Sequence, residues 1–408
     1  MSAATSIRTE PLDETEWARD LIARIVTACP VRRATTEDER RAHGMVRDEL
    51  VALGLETEVK PFEWNKSIYA NLALHFGVAT AGSVVAGRAP ALGLVLHALT
   101  AASYAADSSR AAFVLRRLFP FRASQNVLGT RRAKSKTPRL RVVFVAHADA
   151  AYTGVMFRPE IAGRVASKPD SFMYKSLRLV TGSVAALAVV DLLQLAFGKS
   201  WPLRLARLGL SIPALIAFVA NLDVVVRNQT VPGAMDNLSG VAGLLLLARR
   251  LRARELDDVE VVFVATGCEE AGLGGAEQLC KQMRAEWDPA RTVVIGLDGL
   301  ANGQLRWFLE GEIFPVPITP WLGDTLQSIA ADVPELSAFD IPVGGTDALP
   351  FAVAGYPAVT LGCVDPLRGM PREYHLPSDT PENLEFEKIP FCVDVAERLF
   401  DAIVARSM

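Results

Sequence analysis

Cysteine is scarce in this chain: there are five in 408 residues, an odd number with scattered spacing. That excludes a disulfide framework and a cysteine-rich metal site, and it suits a reducing compartment. Net charge is also small. Forty-three basic and 46 acidic residues leave −3, which gives no basis for nucleic-acid binding. Histidine is equally rare, with five residues. The opening MSAATSIRTEPLDETEWARD lacks the basic start and apolar core of a signal peptide, so the expectation is a chain that is not secreted. No internal repeat is present.

Apolar sequence is what the chain has in excess. Half of the residues are apolar and the mean hydropathy is +0.23, high for a soluble enzyme of this size. The length allows a large core in one large domain or two smaller ones.

Several apolar runs end in polar residues. VVFVATGCEEAGLGG ends in the adjacent carboxylates Glu269 and Glu270. Carboxylates side by side on a loop can divide the work, one ligating a metal and the other moving protons. RLRVVFVAHADA ends in His147 and Asp149. Residues two apart on an extended chain share a side, so Asp149 can hydrogen-bond the far nitrogen of His147, as outer partners of metal-bound histidines do. VPGAMDNLSG sets Asp236 in a glycine-containing turn before an apolar, helix-like stretch, TVVIGLDGL ends in Asp298, and GMPREYHLPSDTPENL carries His375 in a loop. Carboxylate oxygens and imidazoles without cysteine suit zinc, with cobalt or manganese as alternatives. Five ligands hold two metals if one carboxylate bridges them. Each residue also has a plain reading: a core histidine, an Asx turn or helix cap at Asp236, a simple turn at Asp298.

The ordered series AHAD, GAMDNLSG, TGCEEAGLGG, GLDG, GGTDALPF and YHLPSDTPENL resembles the M28 family of dizinc aminopeptidases, over roughly residues 20–66 and 120–405. The resemblance implies one zinc on His147, Asp236 and Asp298 and a second on Asp236, Glu270 and His375, with Asp236 bridging. It implies Glu269 as general base, Asp149 as the residue orienting His147, and Tyr374 as an oxyanion stabiliser; an ordinary packed aromatic is the other reading of Tyr374. It implies a peptide substrate with a free N-terminus. Three positions depart from the family pattern. Ala148 replaces an aromatic, Thr346-Asp347-Ala348 lacks a histidine common in the family, and Cys268 replaces a small residue. Asp347 is a candidate polar contact for substrate, or else a turn or helix cap.

Two insertions interrupt that pattern. Residues 71–87 and 90–106 form one apolar pair split by Arg88, and 179–197 and 208–226 form another, split by the basic GKSWPLRLARLG. At about 1.5 Å per residue, each segment is close to the roughly 30 Å of a bilayer's apolar layer. Each insertion is therefore a candidate helical hairpin, and four crossings would return the chain to the side it left. His75, His97, Asp191, Asn221 and Asp223 stand against a lipid-embedded reading, since a central Asp costs roughly 2.5–3.5 kcal/mol; within a four-helix cluster they can be paired or protonated. The alternative is a buried cap or dimer interface on a soluble cytoplasmic enzyme. Basic residues are in excess at the catalytic ends of the segments, which favours a cytoplasmic catalytic part.

Elsewhere the pattern predicts helix over 15–53, strands at 55–64, 124–132, 259–266, 292–297 and 358–362, and helices at 239–255, 275–286, 320–331 and 387–405. RRAKSKTP reads as a basic surface loop. Alternating strands and helices predict an α/β fold with a mostly parallel central sheet flanked by helices, as in zinc exopeptidases, plus two inserted apolar hairpins. The expected division is 1–66, 107–178 and 227–408 for the catalytic part, with hairpins at 67–106 and 179–226. The expected partners are a peptide or N-acyl amino acid substrate and lipid along 71–106 and 179–226; a homo-oligomer is left open. A non-catalytic membrane scaffold is the remaining alternative.

Overall fold

Residues 13–135, 137–166 and 175–406 are described by the computed structural model. The first twelve residues, Lys136 of the basic loop and residues 167–174 lie outside that range.

The helical pattern at the start resolves into two helices, α1 (Glu14–Ala28) and α2 (Glu37–Ala52). Asp13 caps the first by accepting from the N–H groups of Thr15 and Glu16, and Thr36 caps the second. The break between them follows from Pro30, which cannot continue a helix. β1 (Glu56–Trp64) leads into α3 (Ile68–Ala86) and α4 (Pro90–Ser108), and the chain returns through β2 (Arg122–Arg131) and β3 (Leu140–His147). A short α5 (Pro159–Ala166) precedes α6 (Ser176–Phe197) and α7 (Trp201–Arg227). There follow α8 (Gly240–Leu251), β4 (Val259–Thr266), α9 (Gly274–Met283), β5 (Thr292–Leu297) and β6 (Gln304–Leu309). The chain closes with α10 (Pro320–Ala330), β7 (Ser337–Asp340), α11 (Leu349–Val353), β8 (Ala358–Val364) and α12 (Lys388–Arg406).

The strands form one mixed sheet in the order β1-β2-β4-β3-β5-β8-β6-β7. β4, β3, β5 and β8 run parallel at its centre, while β1, β2 and the β6–β7 pair add antiparallel flanks. β6 and β7 were not expected from the sequence. Central strands are covered on both faces and so read as continuous apolar runs. Val142, Phe144, Val261 and Phe263 pack under α1, α2, α8 and α12; Val143, Val145, Val262 and Val264 pack under α9 and α11.

The chain runs from β3 to β4 on one side, then crosses to β5 on the other side of β3. The carboxyl end of β3 is thus the topological switch point, where open α/β sheets bind ligands.

Both insertions leave from paired backbone and return to it. The first is closed by β1 and β2, with Trp64 opposite Arg122. The second is closed where Tyr152 bridges Thr230, with Thr153 N–H donating to the Gln229 carbonyl at 3.0 Å and Val231 N–H to the Ala151 carbonyl at 3.1 Å.

The inserted helices pack as a ring: α3 on α4, α4 on α6, α6 on α7 and α7 on α3. The turn between α6 and α7 is only Gly198–Ser200, so most of the expected basic turn is helical instead. Among the described residues α3, α6 and α7 are long and apolar enough to cross a membrane; α4 is not in that set. Its His97, Thr100, Ser103 and Asp107 dilute its hydropathy, and all four are buried inside the ring.

Candidate metal centre

Four strand ends and one turn bring the polar residues together. β3 ends at His147. β4 ends at Thr266, three residues before Glu269. β5 ends at Leu297, next to Asp298. The loop after β8 brings in His375, and the turn before α8 carries Asp236. Cys268 and His375 hold φ of +56° and +55°, left-handed values that non-glycine residues seldom adopt.

Neighbours shape the Asp236 turn and leave its carboxylate free. The helix-capping work falls to Asn237, whose side-chain oxygen accepts from Gly240 N–H and Gly299 N–H, each at 3.0 Å, and whose amide donates to the Leu297 carbonyl at 2.8 Å. The Asp379 carboxylate accepts the N–H groups of Met235 and Asp236 at 2.6 and 3.1 Å. Buried Arg32 donates to the carbonyls of Gly233 and Ala148.

The Glu pair is held by its backbone. Asp149 accepts the N–H groups of Glu269 and Glu270, one on each carboxylate oxygen, both at 3.1 Å. The Asp149 carboxylate also lies 3.6 Å from Nδ1 of His147, which bonds the Asp149 main-chain oxygen at 3.1 Å. Asp149 thus faces the imidazole with both its main chain and its carboxylate. Glu39, from α2, accepts the Cys268 N–H at 2.8 Å.

The side chains converge on Asp236. One of its oxygens is 3.1 Å from Nε2 of His147 and the other 3.4 Å from Nε2 of His375. His375 Nε2 is also 3.3 Å from Glu270, while His147 Nε2 is 3.9 Å from Glu269 and 4.0 Å from Asp298. Ligand atoms of His147, Asp236 and Glu270 all lie within 4.8 Å of one another, as do those of His147, Glu269 and Asp298. His147, Asp149, Asp236, Glu269, Glu270, Asp298 and His375 thus meet in one place, and Tyr374 stacks on the His375 ring at 3.9 Å between centroids.

Electrostatics make the cluster receptive to cations. Burial, then the neighbouring Asp236 charge, pushes Asp298 up to about 8. Burial raises Glu269 well above the usual carboxylate range, with Glu270 adding to it, and raises Glu270 as well. His375 is raised to about 10 by Glu270 and Asp236 against the opposing effect of burial. Among the described residues no lysine or arginine pairs with Asp236, Glu269, Glu270 or Asp298, and one oxygen of Glu270 is buried without a hydrogen-bond partner. Crowded carboxylate oxygens and imidazole nitrogens with a free acceptor are a donor set that fits zinc.

Sequence reasoning missed Tyr69. It is the second residue of α3, and its hydroxyl is 3.2 Å from Nδ1 of His375. An inserted helix thus supplies the outer partner of a candidate ligand. The insertion also grips the Glu loop: Arg116 donates to the Ala271 carbonyl at 3.1 Å and Arg110 to the Gly272 carbonyl at 2.9 Å. Phe157, from the stretch leading to α6, lies 4.5 Å from the His375 ring. Asp379, Asn237, Glu39 and Arg32 were missed as well. Asp379 and Asn237 stood inside quoted motifs; nothing local marked the others. Asp347 accepts from Thr266 Oγ1, and its other oxygen is buried without a partner.

A parallel-cored sheet with this cluster at its switch point is the fold of zinc-dependent exopeptidases. Solved structures with the same fold include a zinc aminopeptidase from Bacillus subtilis (TM-score 0.57, 14% identity, 96% of this chain and 95% of that one). An aminopeptidase from Aneurinibacillus sp. strain AM-1 matches with a TM-score of 0.56 and 14% identity, over 95% and 93%. A glutaminyl cyclase from Bacteroides thetaiotaomicron matches at 0.55 and 12%, over 95% and 98%. The alkaline phosphatase isozyme conversion protein of Escherichia coli (strain K12) is 33% identical over 111 residues, 27% of this chain and 32% of that protein, so the match spans about a third of that relative's length. The family model for peptidase family M28 matches residues 208–399. Residues 208–399 are thus similar in sequence to peptidase family M28, and the whole chain shares its fold with zinc aminopeptidases.

Proposed function

We propose that the protein is a membrane-bound, zinc-dependent aminopeptidase. The observation that carries the reading is the approach of two imidazole Nε2 atoms to the two oxygens of Asp236, at 3.1 and 3.4 Å. Asp236 would bridge two zinc ions, with His147 and Asp298 on one side and Glu270 and His375 on the other. Zinc held there supplies an activated water and polarises the scissile carbonyl.

The protein's own groups do the rest. Glu269 takes a proton from the attacking water and returns it to the leaving amine. Burial raises its proton affinity above that of an ordinary carboxylate, which favours taking that proton. Asp149 fixes the main chain of the Glu pair, so one carboxylate faces His147 and the other His375. Tyr69 fixes the His375 ring. Burial, then Tyr69 and the carboxylates, keeps the Tyr374 phenol protonated, so it can donate to an oxyanion.

The membrane reading rests on the ring of helices. Its outer surface exposes large apolar side chains, among them Phe197 at 82%, Val226 at 76% and Ile216 at 63%, far more than scattered surface residues would. Several of its polar groups face inward and are paired. His97 bonds Asp191 at 2.7 Å, His75 bonds Ser103 at 2.9 Å, and Arg207 donates to Gln194 at 2.6 Å. Asp223 sits at the end of α7 beside Arg227. The basic excess at the catalytic ends supports a cytoplasmic position for the sheet.

Tyr69 and Phe157 beside His375 favour one second reading, an amidase for N-acyl amino acids. The deciding experiment is elemental analysis of detergent-purified protein together with leucine release from leucine amide and from N-acyl-leucine. Two zincs per chain and activity on the free amine support the aminopeptidase. Activity on the acyl substrate alone replaces it with the amidase. Absence of bound zinc, under conditions that preserve it, refutes both.

A further inference from the structure

We infer that the metal centre works at the bilayer surface, and that its substrates are polypeptides held in that surface by a lipid or apolar anchor with their N-terminus free. This rests on the membrane-bound aminopeptidase reading and extends it to a substrate class.

The argument begins with where the helices end. α3 has 19 residues, about 28 Å of helix, and Tyr69 is its second residue. Its hydroxyl touches the ring of His375. One candidate ligand therefore lies within a single side chain of the end of a candidate span. The other helices also end against the catalytic part. Tyr104, near the end of α4, donates to Glu312 at 2.9 Å. Lys175, just before α6, pairs with Asp340 at 2.6 Å. Asp223, near the end of α7, accepts the Val155 N–H at 2.7 Å. Val155 follows the carboxyl end of β3, as the metal residues follow their strands, while Glu312 and Asp340 follow β6 and β7. The ring thus sits directly against the catalytic part, and at Tyr69 against the metal residues themselves.

Side-chain character at that level agrees. Tyr69, Tyr152, Phe157 and Tyr374 form one aromatic cluster around His375, with Tyr69 6.1 Å from Tyr152 and 6.0 Å from Phe157. Tyrosine is enriched at the headgroup level of bilayers, where one end is apolar and the other wet. Beside them Ile313 packs onto the helical ring, and its neighbour Phe314 is 56% exposed. An apolar side chain presented there faces lipid headgroups.

A centre so placed is reached along the membrane plane. A dissolved peptide must find the gap between bilayer and sheet. An anchored one is already concentrated in that layer and needs only a short free N-terminal arm.

The test uses full-length protein reconstituted in phosphatidylcholine vesicles. Its substrates are peptides with N-terminal leucine, ending either in a plain amide or in a diacyl-lipid anchor, which is retained where a single chain exchanges. The free arm is set at about 5 or about 25 residues, roughly 17 or 85 Å when extended. The expected result is a kcat/KM about tenfold or more higher for the anchored peptide, carried by KM, and already present with the short arm. Equal values for anchored and plain peptides overturn the inference and leave the aminopeptidase reading standing. An advantage seen only with the long arm also overturns it, since the site would then lie away from the surface. Cleavage of neither peptide overturns the inference together with the aminopeptidase reading. Failure of the protein to float with the vesicles overturns it together with the membrane reading.

Discussion

The sheet and the inserted helical ring differ in what they enclose and what they expose. In the sheet, Phe144, Phe263 and the valines of β3 and β4 are fully enclosed, and charge gathers at the strand ends. In the ring, His75, His97, Asp191 and Gln194 are enclosed beside a small apolar core of Leu72, Phe76 and Val184, while Phe197, Val226, Ile216 and other large apolar side chains face outward. Water drives the first arrangement through the hydrophobic effect. The second is what the proposed membrane setting would favour, where interhelical contacts come from small residues and polar pairs. The difference teaches that burial and hydrophobicity are separate quantities, and that their sign tells which solvent a region expects.

Substitutions can break or sharpen this contrast. The largest effect is expected from Asp236→Ala, which should remove both zincs and reduce turnover to background while vesicle flotation is unchanged; elemental analysis reads the metal. Retention of two zincs would refute the bridging role. Glu269→Gln should keep both metals and lower kcat by about 10²–10⁴-fold, measured on a leucine amide; undiminished kcat would exclude Glu269 as the base. A matched pair of truncations then addresses the contrast itself. Phe263→Ala, in the sheet, should lower stability by about 3–5 kcal/mol. Tyr69→Phe, at the junction, should weaken zinc binding by about tenfold, or about 1.4 kcal/mol, with the fold intact; competition with a chelator measures it, and unchanged affinity would show that Tyr69 does not hold the ligand. The smallest effect belongs to the other half of the pair. Phe197→Ala, exposed on the ring, should change stability by less than about 0.5 kcal/mol. Similar losses for both phenylalanines in denaturant titrations would mean that the two regions obey the same rule.

The sequence made much of this visible because ligands and strand ends are local. An apolar run closing on HAD, CEE or LDG shows both the strand and its polar end in one glance. Helices with apolar stripes, such as α8 and α12, were equally plain. β6 and β7 were not, since QLRWFL and SAFD are short and mix polar with apolar residues. Spacing of two along a strand put Asp149 beside His147 but gave no hint of its main-chain donors 120 residues away. Tyr69 and Glu39 act across 306 and 229 residues of sequence, and no local pattern encodes such distances. The polar face of α4 was readable only once its neighbours were known.

The zipped stalks of the two insertions bear on how such a chain tolerates them. Closing a flexible loop becomes harder only logarithmically with length, by about 0.6 kcal/mol per doubling. Here most of the inserted length is not flexible at all. β1 pairs with β2 across the first insertion, and Tyr152 bridges Thr230 across the second. The two ends of each insertion are thus held side by side, and the sheet experiences a hairpin where the gene encodes a long detour. An architecture with such junctions can gain or lose a whole helical pair without shifting the register of one strand.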